Sequence, residues 1–238
     1  MADELRVSLT AARSALRRLR RNGLAASPYR GFHVVVPPEY QRVGSLPAEQ
    51  FVPQLMERLG VPYYAGLLTA ARYHGAAHQQ PQVFQAVVPK NRSSLHCGLV
   101  YVSFVARHNA ATMPTGAVNT PRGLLDVSTP ETTAYDLVGY PDHCGGLDNV
   151  ATVLGELGEM LDPELLIKIA DLSPIPWSQR LGYLLDLVEH STRSERLAGF
   201  VAGRATETVS LLPGSETSSA RRDDRWKLWI NADLEPDL

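Results

Sequence analysis

The sequence predicts an α+β protein in two parts: a short basic helix with a β-hairpin (residues 1–45), then a larger mixed α+β body (residues 46–238). Three observations carry that prediction. Hydrophobic periodicity switches from helical to strand-like within residues 8–36; Pro37, Pro38, Pro47 and Pro53 with Gly44 and Ser45 interrupt it; and beyond them strands are grouped ahead of a run of helices.

The first element spans Ser8 to Asn22. Leu9, Ala12, Leu16 and Leu19 repeat at helical spacing, while Thr10, Arg13, Ser14, Arg17 and Arg21 fall on roughly the opposite face at about 100° per residue. Ser8 or Thr10 can cap the first amides, and Asn22-Gly23 supplies a left-handed stop. Residues 24–26 and 32–36 then read as two strands around a turn at Ser27-Pro28-Tyr29-Arg30-Gly31.

In the body, residues 54–59 read as a short helix and Tyr64 to Tyr73 as a longer one. Residues 82–88 and 99–105 read as buried strands, and 117–119 with 124–127 as a hairpin. Ser128-Thr129-Pro130-Glu131 is a strong helix start: a capping hydroxyl, proline in the first turn and a carboxylate at the positive end of the helix dipole. Helices follow over 147–161, 163–171, 177–190 and 194–202. A polar loop around a short strand and a last strand over 226–231 complete the chain.

Charge divides the chain unevenly. The formal net charge is -2, but residues 1–36 hold seven Arg against Asp3 and Glu4, +5, which leaves -7 for the rest. No acidic residue occurs between Glu4 and Glu39. A helix face carrying Thr10, Arg13, Ser14, Arg17 and Arg21 suits the DNA major groove, because Arg binds phosphate and pairs bidentately with guanine. Arg18 and Arg20 flank that face toward the backbone, and Tyr29 and Arg30 occupy the hairpin tip. Helix plus two-stranded wing reads as the second half of a winged helix-turn-helix, truncated in that seven residues before it cannot hold two further helices.

Other classes find less support. Cys97 and Cys144 are far apart, with no apolar leader ahead of them, so two free thiols in a reducing cytoplasm are expected. No window is apolar enough to span a bilayer. His74 and His78 stand at a zinc-compatible spacing, but Gly75 interrupts the helix and no acidic residue lies between Glu57 and Asp126. They read instead, with Tyr63, Tyr64, Tyr73, Gln79 and Gln80, as a polar network fixing helix against strand, or as a surface for a partner. His96-Cys97 and His143-Cys144 lack a visible third group for nucleophilic catalysis, and Glu131 and Asp136 do not share a helix face. Asp126 and Glu131 lack a downstream Lys at strand spacing, and Gly145-Gly146 lacks the Lys-Ser/Thr of a phosphate loop. No catalytic residue, metal or cofactor is therefore assigned.

The segment RSALRRLRRNGLAASPYRGFHVVVPPEY resembles the winged-helix end of AbiEi-type antitoxins. VPYYAGLLTAARYHGAAHQQPQVFQAVVP, VNTPRGLLDVSTPETTAYDLVGYP, GGLDNVATVLGEL, WSQRLGYLLDLV and DDRWKLWINADLEPDL are similar to the family's C-terminal antitoxin domain. The resemblance implies a type IV toxin-antitoxin module of phage abortive infection, with a nucleotidyltransferase-like toxin encoded alongside. It further implies a winged helix that represses its own promoter by binding inverted repeats, two copies to a site, and a C-terminal domain that neutralises the toxin without a stable complex. The rival expectation is an antitoxin that holds its toxin by direct contact and binds DNA little.

Overall fold

The structure, a computed structural model, describes residues 8–76 and 83–237. Its architecture is mixed α+β, as the sequence predicts, and the chain divides into two units. The first comprises residues 1–63, 82–108 and 117–125, and the second residues 64–81, 109–116 and 126–238. These units do not divide at 45/46: the stretch 46–63 groups with the N-terminal helix and hairpin.

Helix α1 (Leu9–Arg21) opens the first unit; its N-cap Ser8 accepts from the Ala11 amide, and Gly23 follows its Asn22 C-cap at φ +70°. Strands β1 (Ala25–Tyr29) and β2 (Phe32–Val35) pair antiparallel around Arg30-Gly31. The first strand therefore runs through Ser27-Pro28-Tyr29, which the sequence reads as turn. A bulge between Ala26 and Tyr29 makes this workable, because Pro28, which cannot donate to a ladder, sits where the pairing is interrupted. Ala26, Pro28, Val34 and Val36 form the hairpin's buried face. Helix α2 (Val52–Leu59) follows, closed by Gly60 in the left-handed region, with Val52, Leu55 and Met56 buried.

At residue 64 the chain enters the second unit. Tyr64–Ala65 is a strand, β3, and only Leu67–Tyr73 is helix, α3. The expected helix over 64–73 starts late because Gly66 is extended and acts as N-cap, Tyr64 and Ala65 being fully buried ahead of it. Back in the first unit, β4 (Val83–Val88), β5 (Leu95–Cys97) and β6 (Val100–Ala106) form a sheet segment in the order β5-β6-β4. β4 runs parallel to β6, from Val83↔Tyr101 to Val88↔Ala106, and β5 turns antiparallel onto β6 at Gly98-Leu99. β5 has no counterpart in the sequence reading, since three residues with a polar centre carry no strand periodicity.

Strands β7 (Thr115–Thr120) and β8 (Gly123–Ser128) bracket Pro121-Arg122, and within the second unit β8 pairs parallel to β3 through Val127↔Ala65. Helix α4 (Pro130–Gly139) starts where the sequence places it, the Thr129 hydroxyl accepting from the Thr132 amide. Residues Glu131 to Val138 are all buried, and α4 packs against α3, α5 (Leu147–Leu157), α6 (Pro163–Asp171) and α7 (Ile175–Leu187). A helix enclosed on every side shows little amphipathic pattern. Its two buried carboxylates are bonded: Glu131 Oε1 accepts from the Asp162 amide at 3.0 Å and Asp136 Oδ2 from the Tyr64 hydroxyl at 2.8 Å. Glu131 thus reaches the start of α6 rather than only charging its own helix end.

Helix α8 (Ser191–Arg204) is longer than the expected 194–202. Strands β9 (Val209–Ser210), β10 (Arg221–Asp223) and β11 (Leu228–Ile230) close the unit in the order β10-β11-β9. Trp226, 1 % exposed, anchors this end: its indole donates to Asp186 Oδ2 at 2.7 Å, and the Ser194 hydroxyl donates to Asp186 Oδ1. Gly182 is required beside it, because a β-carbon there would overlap the Trp226 ring. No helix among the described residues is long and apolar enough to cross a membrane.

Candidate nucleic-acid interface

The nine residues that the sequence singles out for DNA, Thr10, Arg13, Ser14, Arg17, Arg18, Arg20, Arg21, Tyr29 and Arg30, are all exposed. Helix α1 buries none of its residues: even on its apolar side Leu9 is 66 % and Leu19 41 % exposed. It is held by its N-cap and by β1, with the Leu24 amide donating to the Leu19 carbonyl. Among the described residues, the side chains of Arg13, Arg17, Arg18, Arg20, Arg21 and Arg30 make no ion pair or hydrogen bond, so their five-donor guanidinium groups face solvent unspent.

The structure sorts these residues into different surroundings. Arg17 and Arg20 join Gly23, Ala25, Ala26, Ser27, Gly44, His96, Cys97 and Gly98 in lining a groove of about 530 Å³. Tyr29 leaves that set and lines a second groove of about 290 Å³, with Leu55, Leu59, Arg92 and Phe104. Thr10, Arg13, Ser14, Arg18, Arg21 and Arg30 line neither.

Residues outside the sequence reading join the basic surface. The Arg58 guanidinium of α2 lies against Gly31 in the hairpin turn, 3.7 Å from where a β-carbon would stand. His33 of β2 shares a 2.6 Å hydrogen bond with the Ser27 hydroxyl, and its pKa is lowered by burial first, then by the positive charges of Arg20 and Arg58. The signal that finds Arg58, Arg92 and His96 is the acid-free run from 58 to 125. With the units defined, the first holds 13 Lys/Arg against five Asp/Glu, a formal +8, and the second 10 against 20, -10.

The weaker chemical candidates have other partners. His74 Nε2 lies 2.7 Å from the Ser128 carbonyl, which can only accept, so that nitrogen carries the proton and is not free for a metal. His78, Gln79 and Gln80 lie outside the described residues. Cys144 is buried, and that burial, with Asp136 nearby, pushes its thiol pKa far up, the opposite of an activated nucleophile. Cys97 is a free, half-buried thiol. Asp126 is exposed whereas Glu131 is buried and bonded.

Three comparisons bear on what such a chain does. Residues 64–187 match the family described as the AbiEi antitoxin C-terminal domain. No curated protein matches. Among solved structures, the crystal structure of the RV2827C protein from Mycobacterium tuberculosis is similar with a TM-score of 0.63 at 20 % identity. That likeness covers 91 % of this chain and 78 % of the other, and it shows the fold alone.

Proposed function

We propose, from the premise that this chain belongs to the AbiEi antitoxin family, that it is a DNA-binding autorepressor as well as the antitoxin of a toxin-antitoxin pair. Membership makes it an antitoxin of a regulatory family; promoter binding is the further step. The observation that carries this step is the set of six arginines on α1 and the hairpin tip that are unpaired among the described residues, within a unit of +8. α1 enters the major groove with Thr10, Arg13, Ser14, Arg17 and Arg21, Arg18 and Arg20 reach the flanking phosphates, and the hairpin acts as a wing. Inverted repeats in the module's own promoter, read by two copies of the chain, would be the operator. The toxin it counteracts is a nucleotidyltransferase-like protein, and the chain itself carries out no catalysis.

The test is binding to DNA upstream of the chain's own gene at rising salt. Each phosphate contact contributes about -0.9 to the slope of log K against log salt, so a steep fall is expected. Salt-independent binding, or none to any promoter fragment, defeats the reading.

The charge of the second unit favours a second reading, in which this acidic surface grips a basic toxin directly and DNA binding is minor. Co-purification of the two gene products through a high-salt wash would select it over the first.

A further inference from the structure

We propose that the groove between α1 and β5 is a binding site for a phosphate ester, held by the Arg17 and Arg20 guanidinium groups with Ser27 and His96 at its rim. This shares Arg17 and Arg20 with the promoter reading and goes beyond it by assigning them a groove that Thr10, Arg13, Ser14, Arg18 and Arg21 do not line. Four observations converge on it. Arg17 and Arg20 stand three residues apart on one helix, both line the groove, and neither has a partner among the described residues. Among the described residues no acidic side chain lines it, and the segments that build it belong to the runs 5–38 and 58–125, free of Asp and Glu, and the corner at Gly44.

The groove floor is fixed by glycine. A β-carbon at Gly98 would overlap the Val43 carbonyl and Gly44, so the two loops close only because Gly98 has none, and the Leu99 amide locks them by donating to Val43 at 2.8 Å. Ser45, next to Gly44, carries the one buried side-chain oxygen without a hydrogen-bond partner among the described residues. His96 is positioned rather than free to swing, its ring 4.1 Å from that of Tyr101.

Chemistry and size together select the ligand class. Paired guanidinium forks match the oxygens of a phosphate, and about 530 Å³ is larger than a bare anion and within the range of organic-ligand sites. The phosphate therefore bears an organic substituent, either as part of a nucleic-acid strand or as a free nucleotide.

The experiment titrates inorganic phosphate, then AMP, into the full chain labelled with nitrogen-15, following the amides of Gly23, Gly44 and Gly98. Saturable shifts are expected, weakened roughly tenfold in Arg20→Gln by loss of one charged hydrogen-bonding partner and unchanged in Arg13→Gln. Unchanged amides elsewhere confirm that each variant is folded. Shifts that never saturate, or that respond equally to both substitutions, overturn the proposal. AMP binding tighter than phosphate and resisting nonspecific duplex identifies a free nucleotide; equal binding of both, displaced by duplex, identifies a strand phosphate. If Arg13→Gln loses promoter DNA yet titrates phosphate as the parent does, the groove and the promoter reading separate.

Discussion

The two units treat positive charge in opposite ways. In the second, arginines are consumed internally: Arg196 pairs with Glu164, Arg204 with Asp171, Arg225 with Asp186 and Glu195, and Arg180 donates to the carbonyls of Ser210 and Leu211. In the first, the α1 arginines are left unpaired among the described residues, on a helix that buries nothing. The difference teaches that residue count alone does not define a binding surface. The chain has cations throughout, but only where neighbouring acids are withheld do they remain available to a polyanion.

The largest way to break this comparison is at the anchor of the acidic unit. Trp226→Ala should destabilise the protein by about 3–5 kcal/mol, as for other buried aromatics cut to alanine, read as a lowered denaturant midpoint. Next in size, Arg13, Arg17 and Arg21 changed together to Ala should leave that midpoint nearly unmoved. Promoter affinity should fall about a hundredfold or more with sequence preference relaxed, and the salt slope should flatten by at most about 2.7, about 0.9 for each of the three that also touches a phosphate. Equal losses of stability and binding would erase the distinction between the units.

Smaller changes sharpen it. Ser8→Ala removes the side-chain N-cap of α1, a loss of about 1 kcal/mol. Because α1 buries no residue, the effect should appear as faster amide exchange in α1 and weaker DNA binding rather than as a lower melting temperature. pH offers a subtler probe. Burial first, then Arg20 and Arg58, lowers the His33 pKa, and incoming phosphates would offset the two positive charges, so DNA binding should take up a proton at His33. Affinity should then rise modestly as pH falls from about 7 toward 5, through and below the usual histidine value, an increment abolished in His33→Gln. The smallest effect is expected from Arg196→Ala, whose pair with Glu164 is exposed on both sides, at under about 0.5 kcal/mol by thermal denaturation.

Much of this was legible in the sequence, but unevenly. The bounds of α1 followed from Ser8 and Asn22-Gly23, and the start of α4 from Thr129-Pro130, since caps act within four residues. The candidate DNA residues were legible as a pattern of charge. β3 was read as helix because Tyr64 and Ala65 fit either period, and only tertiary burial chooses. The first strand's extension through Pro28 depended on a bulge that partner registration creates. The groove was hidden for a different reason: Arg17, Ser27, Gly44 and His96 come from segments that no local pattern relates. Nor does composition reveal which arginines find carboxylates, the property that separates the units.

In the proposed reading, a DNA-contacting helix with no buried residue also has an evolutionary consequence. Most positions on a helix are constrained by the core they help to fill, so altering what the helix reads risks the fold. Along α1 that coupling is nearly absent. If α1 reads DNA as proposed, substitutions at residues 10, 13, 14, 17 and 21 would retune the preferred DNA sequence while folding stays intact, and operator preference would diverge between relatives faster than the body does.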